Sequence, residues 1–369
     1  MERKWTIRAY ENGDEIGIFE LANAVHPDRK YDRGKWMSWW RWKYGDNPAG
    51  RSRFLVADHD GKIVGMRPFI LVKMQIADET VMASQNTDLK THPRYRRQGI
   101  FSTLEKNSFS QLKEEEICLT YSFPNVSSYP GYMNTGLFTD ICALKTLIKP
   151  LNLRNALKKR IKNNCLLNIC TITGSIFIAI FYRTKKSPEI KGLTISKIVS
   201  FDNRINDFWN NISSDYKIIV VRNQEYLNWR YINRPDRNYT IYLAEEEGVI
   251  CGYMVLRCVK EQDLSSGYII DIIAPLDRSE VIHSLLSEAI KYFKEERVDV
   301  ILCTMIVDKI FYKIFRKNGF ISTHFISTIS KRFRIGSEHI VRINSPKVSE
   351  TYLKDPKNWF VQLGDSDFI

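Results

Sequence analysis

The chain repeats itself, and this limits its fold more than any other feature. Trp42-Lys43-Tyr44, followed by Pro48, returns as Trp229-Arg230-Tyr231, followed by Pro235, at an offset of 187 residues. At the same offset Ala57 meets Ala244, and Gly61-Lys62-Ile63-Val64-Gly65 meets Gly248-Val249-Ile250-Cys251-Gly252. Further on the offset drops to 183: Asp88 meets Asp271, Tyr129 meets Tyr312, and Gly136 meets Gly319. A four-residue shortening between Gly252 and Asp271 accounts for the change. Ordered matches at two nearby offsets mean that two copies of one fold lie half a chain apart.

Each copy reads the same way. Strand character at Phe54 to Asp58 and at Tyr239 to Glu245 is followed by a glycine-containing turn and a second strand, which predicts a hairpin. A third strand ends at Leu89 in one copy and at Ile273 in the other. Helical apolar stripes follow: Ile100, Phe101, Leu104, Phe109 and Leu112, and then Val281, Ile282, Leu285, Leu286, Ala289, Ile290 and Phe293. Strands at Ile117 to Ser122 and Asp299 to Thr304 come next, and strand–helix–strand with short links implies a parallel pair in a mixed sheet. A short helix closes each copy at Gly136 or Gly319. The expected fold class is α/β, with two tandem domains, each three-layered around a central mixed sheet. The expected boundaries are 1–145 for the first domain, 146–190 for a linker, 191–335 for the second domain and 336–369 for a tail. The tail residues Asn358 to Asp365 read as a last strand.

At 369 residues two domains are the expected number. A hydrophobic content of 44% supplies a core and excludes a disordered chain. The seven cysteines are odd in number and show no C-x-x-C spacing, so a reduced, cytoplasmic setting is expected, with neither a disulfide scaffold nor a zinc site. The six histidines are scattered, and no metal is expected. Met1 to Tyr10 is polar and charged, unlike a signal peptide.

The net charge of +13 is concentrated: Lys145 to Lys191 holds eleven Lys or Arg and one acid, Glu189. A nucleic-acid binder spreads its basic charge along a groove among aromatic residues, so no nucleic-acid partner is expected. The pattern fits a local anionic partner or a solvated linker. Within it, Leu166 to Phe181 is apolar but shorter than the ~20 residues of a membrane span, and it carries Asn168, Thr171, Thr173 and Ser175. The leading expectation is an element packed between the domains. Peripheral membrane contact through the basic linker 145–191 is the alternative.

The stretch that carries chemistry is Thr87 to Phe101. A strand runs into a basic loop, Pro93-Arg94-Tyr95-Arg96-Arg97-Gln98-Gly99, which turns into a helix. The first turn of a helix leaves backbone N–H groups without partners and carries partial positive charge. Gly99 lets a phosphate approach them, and Arg96 and Arg97 add guanidinium groups that fork onto phosphate oxygens. No Gly-Lys-Ser/Thr follows, so this is not a Walker loop. Two glycines of the dinucleotide fingerprint are missing as well.

Arg96-x-x-Gly99-x-Phe101, after a strand and opening a helix, resembles the pyrophosphate loop of the GNAT superfamily of N-acetyltransferases, with Phe101 where the family has a small residue. Phe123-Pro124-Asn125, Tyr129-x-Gly131-Tyr132 with Gly136-Leu137-Phe138, Trp42-x-Tyr44-x-x-Asn47-Pro48, Asn358-Trp359 and Gly364-Asp365-Ser366-Asp367 extend the resemblance. It implies acetyl-CoA as co-substrate, with its pantetheine arm along Leu89, Lys90 and Thr91 and its pyrophosphate on Arg96, Arg97, Gln98, Gly99, Ile100 and Phe101. Asn125 would lie by the cofactor arm, and Tyr132 would protonate the leaving thiolate. A primary amine of a small molecule, such as an amino sugar, would attack the thioester directly.

Each of these residues also has a plainer reading. Phe315 matches Tyr132 in the second copy, which suits packing. Asn125 is a natural helix cap. Asp88 recurs as Asp271, which suits a structural role, and His92 before Pro93 suits a turn. The Trp39-Trp40-Arg41-Trp42 cluster reads as core and interdomain packing, with an acceptor-stacking wall as the alternative. For the general base, Glu20, His26 and the carboxylate of Ile369 are open. In the second copy Asp277-Arg278-Ser279-Glu280 replaces the loop, and its carboxylates would repel a phosphate. The first copy is therefore expected to be the catalytic one. The alternatives are a tRNA-dependent aminoacyl transferase of the peptidoglycan cross-bridge type and a non-catalytic CoA-binding scaffold.

Overall fold

The computed structural model describes residues 5–29, 31–158, 161–181, 190–260, 264–306, 309–322, 338–347 and 349–367. The first copy opens with β1 (Thr6–Ala9), antiparallel to β2 (Leu55–His59), which turns back into β3 (Lys62–Arg67). The turn residues Asp60 and Gly61 both have positive φ, as a two-residue hairpin turn of matching twist requires. Glu247 and Gly248 repeat this conformation in the second copy, between β12 (Thr240–Glu246) and β13 (Val249–Lys260).

The second glycine of each repeated motif serves another purpose. It lies beneath the long helix of its copy, α3 (Ile100–Glu114) or α9 (Ser279–Glu295). A Cβ on Gly65 would come 2.6 Å from Ile100 Cγ2, and one on Gly252 would come 3.1 Å from both Val281 and Leu285. The spacing of the two glycines thus records one turn and one helix contact in each copy.

Copy one then departs from copy two. Pro68 interrupts the second strand, dividing it into β3 and β4 (Phe69–Ile76), because proline supplies no N–H to the ladder. At the matching place β13 has only a register shift, between Val255 and Leu256. The third strand is divided too, into β5 (Glu79–Asn86) and the short β6 (Lys90–Thr91), with Asp88 at φ 49° between them. Its counterpart β14 (Ser265–Ile273) runs unbroken through Asp271. The first copy therefore carries two sheets where one was expected. One is four-stranded, β1-β2-β3-β6; the other is six-stranded and contains β4, β5 and β7 (Leu119–Ser122). The parallel pairs expected from strand–helix–strand are present as β5 with β7 and β14 with β15 (Val300–Met305).

The remaining strands are exchanged. β9 (Lys145–Pro150) follows β8 (Thr139–Ala143) in the first copy but inserts between β15 and β16 (Ile321–Ser322) of the second. β17 (Glu338–Ile343) comes late in the chain yet inserts between β7 and β8. β11 (Ile218–Val220) likewise pairs with β4, while β10 (Leu193–Ile198) edges the seven-stranded sheet of the second copy beside β12. The buried Lys149 of β9 donates to the carbonyl of Asn318, beyond the end of α10 (Lys309–Lys317), where a cation suits the helix dipole.

The compact units are consequently not contiguous. One comprises 1–143, 217–237 and 336–358, and the other 144–216, 238–335 and 359–369. These differ from the expected boundaries because β9 draws the start of the 146–190 linker into the second unit, and β17 draws part of the 336–369 tail into the first. Asn358 to Asp365 do not form a strand beyond one antiparallel bridge of Gln362 with Met305. Short 3₁₀ turns at Pro356–Asn358 and Leu363–Asp365 flank Gln362, whose side chain accepts from the N–H of Ile272 at 2.9 Å and donates to its carbonyl at 2.6 Å.

In the first unit α1 (Glu15–Val25) packs over β3 and β6, and α2 (Arg33–Trp40) runs into a π-helical turn closed by Asp46 N–H on Arg41 O at 2.9 Å. The second copy repeats this turn after α8 (Gln224–Leu227), with Asn233 N–H on Asn228 O at 2.8 Å. Trp42 and Trp229, one on each turn, stack with ring centroids 5.1 Å apart, and each indole N–H donates to the carbonyl of the other residue, at 2.8 and 2.9 Å. Trp36, Trp39 and Trp40 form a neighbouring aromatic cluster. In the second unit α7 (Arg204–Ile212) packs on β13.

The close approach at Gly65 has a direct consequence. Gly65→Ala should lower stability by about 1–3 kcal/mol, the cost of overpacking a filled contact. Urea denaturation measures this, and an unchanged midpoint would contradict the contact.

Candidate functional site

The basic loop leaves β6 and reaches α3 through Pro93–Tyr95, a 3₁₀ turn in which His92 Nδ1 accepts from Arg94 N–H at 3.3 Å. Arg97 has φ 62° and Gly99 has φ 80°, and Gly99 is the N-cap of α3. The first intrahelical bond is Thr103 N–H to Gly99 O, so the amides of Ile100, Phe101 and Ser102 precede the ladder and point out of the helix end. Arg94, Arg96, Arg97 and Gln98 are exposed.

A cavity of about 350 Å³ opens at this helix end. Thr91, Arg96, Arg97, Gly99, Ile100 and Phe101 line it from the loop side, joined by Tyr95 and Ser102. Gly131, Asn134 and Thr135 line it from the side of α4 (Tyr129–Met133). These last three carried no sequence signal of a wall. Gly131 explains how Phe101 is accommodated: a Cβ on Gly131 would stand 3.3 Å from the Phe101 ring. The large residue on α3 is matched by an absent side chain on α4.

The other residues singled out from the sequence do not line this cavity. Leu89 packs with Tyr132, Phe138 and Ile340. Lys90 Nζ bonds Asp88 Oδ1 at 2.9 Å, and Gln98 bonds the carbonyl of Arg94 at 3.2 Å. Asn125 is exposed, and its side-chain oxygen accepts from the N–H groups of Ser127 and Ser128, at 2.9 and 3.0 Å, in the turn before α4. Tyr132 is buried edge-on to Phe101 and Phe138, with centroids 5.3 and 5.0 Å away. Burial, with Glu105 nearby, raises its pKa well above the ordinary phenol value, and Ser122 at the end of β7 is its hydrogen-bond partner.

The break between β5 and β6 is held from the π-helical turn. The buried Lys43 ammonium pairs with Asp88, and Tyr44 reaches both Thr87 Oγ1, at 2.8 Å, and Asp88 Oδ2, at 2.9 Å. Burial works against the Asp88 charge, but Lys43 and Lys90 outweigh it and hold the carboxyl far below the usual carboxylate range. This is the structural role expected of Asp88. β6 ends its sheet, so among the described residues its outer edge pairs with no strand. His26, just past the last turn of α1, lies within the field of Lys90, Asp88 and Arg96. Burial, then Arg29, Lys90 and Arg96, lower its pKa below 6.5, against the opposing pull of Asp88. Glu20 is exposed on α1, and Ile369 lies outside the described residues.

Sequence reading missed what holds α3 in place. Glu105, fully buried, accepts from Arg67 Nε at 3.1 Å and from Arg342 Nη1 at 3.1 Å. Arg342, on β17, also bonds Asn344 Oδ1 at 3.0 Å and Thr120 Oγ1 at 3.3 Å. These partners are 38 and 237 positions from Glu105, and no local pattern marks them.

In the second copy the equivalent loop is closed on itself. Arg278 bonds Glu246 at 2.6 Å and Glu280 at 2.7 Å, and Glu280 stands in the first turn of α9. The guanidinium is already neutralised, and a carboxylate occupies the helix end that faces open space in the first copy.

Glu105→Gln leaves two buried guanidinium groups without their carboxylate. It should cost about 3–5 kcal/mol of stability, as breaking a buried ion pair does. Urea unfolding tests this, and a change below about 1 kcal/mol would refute the anchoring role.

Residues 6–139 match the family model of the acetyltransferase (GNAT) domain. No curated protein matches this sequence. Among solved structures, a probable N-acyltransferase from Enterococcus faecalis aligns with a TM-score of 0.63 and 12% identity, covering 93% of this chain and 73% of its own. A GCN5-related N-acetyltransferase from Anabaena variabilis aligns at 0.62 and 12%, covering 92% and 73%. An N-myristoyltransferase from Saccharomyces cerevisiae, solved with myristoyl-CoA and inhibitors, aligns at 0.57 and 13%, covering 98% and 86%. At these identities the structures share the fold alone. Residues 6–139, the first copy, thus carry an acetyltransferase (GNAT) domain, and the fold of these acyltransferases extends across nearly the whole chain.

Proposed function

We propose that the first copy transfers the acetyl group of acetyl-CoA to the primary amine of a small acceptor, an amino sugar being one candidate. The observation that carries this reading is the helix end at Gly99. Unpaired amides, two exposed arginines and a cavity coincide there, whereas in the equivalent loop of the second copy Arg278 is paired with Glu246 and Glu280. The pyrophosphate would rest on the amides of Ile100 to Ser102 with Arg96 and Arg97 around it. The pantetheine arm would pair with the outer edge of β6, along Leu89, Lys90 and Thr91.

The thioester supplies the acyl group, and the chain manages two protons. His26, kept neutral at pH 7 by its lowered pKa, takes one from the attacking amine. Tyr132, kept protonated by burial, gives one to the departing sulfur. Backbone N–H groups at the break between β5 and β6 face the carbonyl oxygen as it gains charge. Asn125 sets the turn that positions α4 and with it Tyr132. The second copy completes the exchanged strands and binds no CoA. The tRNA-dependent reading gains no support from the cradle, since its anion site suits a diphosphate.

Calorimetric titration of acetyl-CoA into wild type and Gly99→Glu tests the cofactor. Micromolar binding by wild type, lost by the variant, is expected, because the new carboxylate would occupy the phosphate position. Equal binding by both would overturn the assignment. Binding by wild type without turnover on any amine of a broad panel would identify a scaffold instead.

The proton roles have their own test in pH–rate profiles. For wild type, kcat/KM should rise with pH along an acid limb whose midpoint lies below 6.5, as neutral His26 forms. His26→Ala should erase that limb and lower kcat/KM by about 10²–10⁴. Tyr132→Phe, which copies Phe315, should lower kcat by a similar factor while acetyl-CoA binding stays unchanged. An intact acid limb in His26→Ala, or an unaffected kcat in Tyr132→Phe, would remove that residue from the mechanism.

A further inference from the structure

Between Lys162 and Arg183 the sequence carries no charge, and α6 (Asn164–Phe181) occupies most of this interval. A helix without charge is normally buried all round. This one is not. Its inner side rests on α5 (Leu153–Lys158): Leu167 is buried, and Gly174 lies so close to Leu153 that a Cβ there would stand 2.8 Å from Leu153 Cδ1. Arg154 of α5 also bonds Asn168 Oδ1 at 3.0 Å. On the outer side Leu166, Ile169, Ile172 and Ile176 are 51%, 53%, 59% and 54% exposed. At 3.6 residues per turn these four share one face, an arc of about 120°. They make up four of the nine large apolar side chains exposed among the described residues. A contiguous apolar row of this kind is a docking surface.

The charge pattern states what it docks on. Lys158, Lys159, Arg160 and Lys162 precede the helix, and Arg183, Lys185, Lys186 and Lys191 follow it, with Glu189 the one acid among them. A protein partner for so apolar a row would need acidic groups at both of its ends. A bilayer with anionic headgroups provides both parts at once: acyl chains for the isoleucines and phosphates for the basic residues. At 18 residues, with Asn164, Asn168, Thr171 and Thr173 within it, α6 is not long and apolar enough to cross a membrane.

We propose that α6 is an interfacial helix that seats the chain on an anionic membrane surface, with Leu166, Ile169, Ile172 and Ile176 in the acyl boundary and the basic residues at both its ends on the headgroups. The proposal is independent of the acyl-CoA site, which lies in the other compact unit.

Flotation of the full chain with phosphatidylcholine vesicles, with and without phosphatidylglycerol, tests it. Wild type should float with the anionic vesicles at low salt, stay behind with the neutral ones, and detach as salt screens the attraction. Ile169→Glu combined with Ile172→Glu should abolish flotation with an unchanged melting temperature, since both positions are exposed. Lys158→Gln combined with Lys162→Gln should weaken partition by more than about tenfold, at about fivefold for each basic residue. Failure of wild type to float, or equal flotation by the double glutamate variant, would overturn the proposal. So would sedimentation as a dimer that the same variant converts to monomer, since the row would then be covered by a second copy of the chain.

Discussion

The carboxylate of Glu105 is the point on which the first unit depends. It sits on the buried face of α3, just past the first turn from the helix end at Gly99, and it is gripped by Arg67 at the end of β3 and by Arg342 on β17. Burying three charges is expensive, and apolar side chains of similar volume would serve stability as well or better. What the ion cluster adds is position. An apolar helix face can slide or rotate by fractions of a turn against a sheet, whereas a carboxylate bonded from two directions cannot. The amides of Ile100 to Ser102 therefore point where Arg96 and Arg97 also point.

That clamp needs a strand from the far end of the chain, and the exchange of β9 and β17 supplies it. Each copy lends a strand to the sheet of the other, so neither sheet is complete with only its own half of the sequence. The repeat is thus more than a duplication of mass. Trp42 and Trp229, on matching π-helical turns, show the same reciprocity inside the first unit, each donating to the carbonyl of the other. The turn that carries Trp42 also carries Lys43 and Tyr44, which hold the break at Thr87 and Asp88. Packing between the copies and the opening of β6 are in this way joined by three consecutive residues.

Much of this was legible beforehand, and the reason is local. The hairpins, the long helices and the parallel strand pairs follow from periodicity and turn chemistry that reach over a few residues. The basic helix end was legible because its parts, Arg96, Arg97 and Gly99, are contiguous. Phe101 departed from the family pattern in the sequence, and only its contact with Gly131, thirty positions on, explained it. Leu89 and Gln98 belonged to the motif by position, yet they face neighbours other than the cavity. Gln362 looked like part of a strand because its surroundings are apolar, but it makes only a single backbone bridge, with Met305, and its side chain reaches Ile272 on the neighbouring strand.

By itself the sequence determined that two copies of one α/β fold are present, that one of them keeps a basic, glycine-opened helix end, and that basic charge gathers around one apolar segment. These are properties of neighbours along the chain, set by glycine conformation, apolar spacing and charge. Only the tertiary structure decided which strands are exchanged, that Glu105 meets Arg67 and Arg342, that Lys43 holds Asp88, and which face of α6 stays uncovered. Such pairings join residues tens to hundreds of positions apart, chosen by the closure of the sheets and by the need of buried charges for partners, and no short-range pattern encodes that choice.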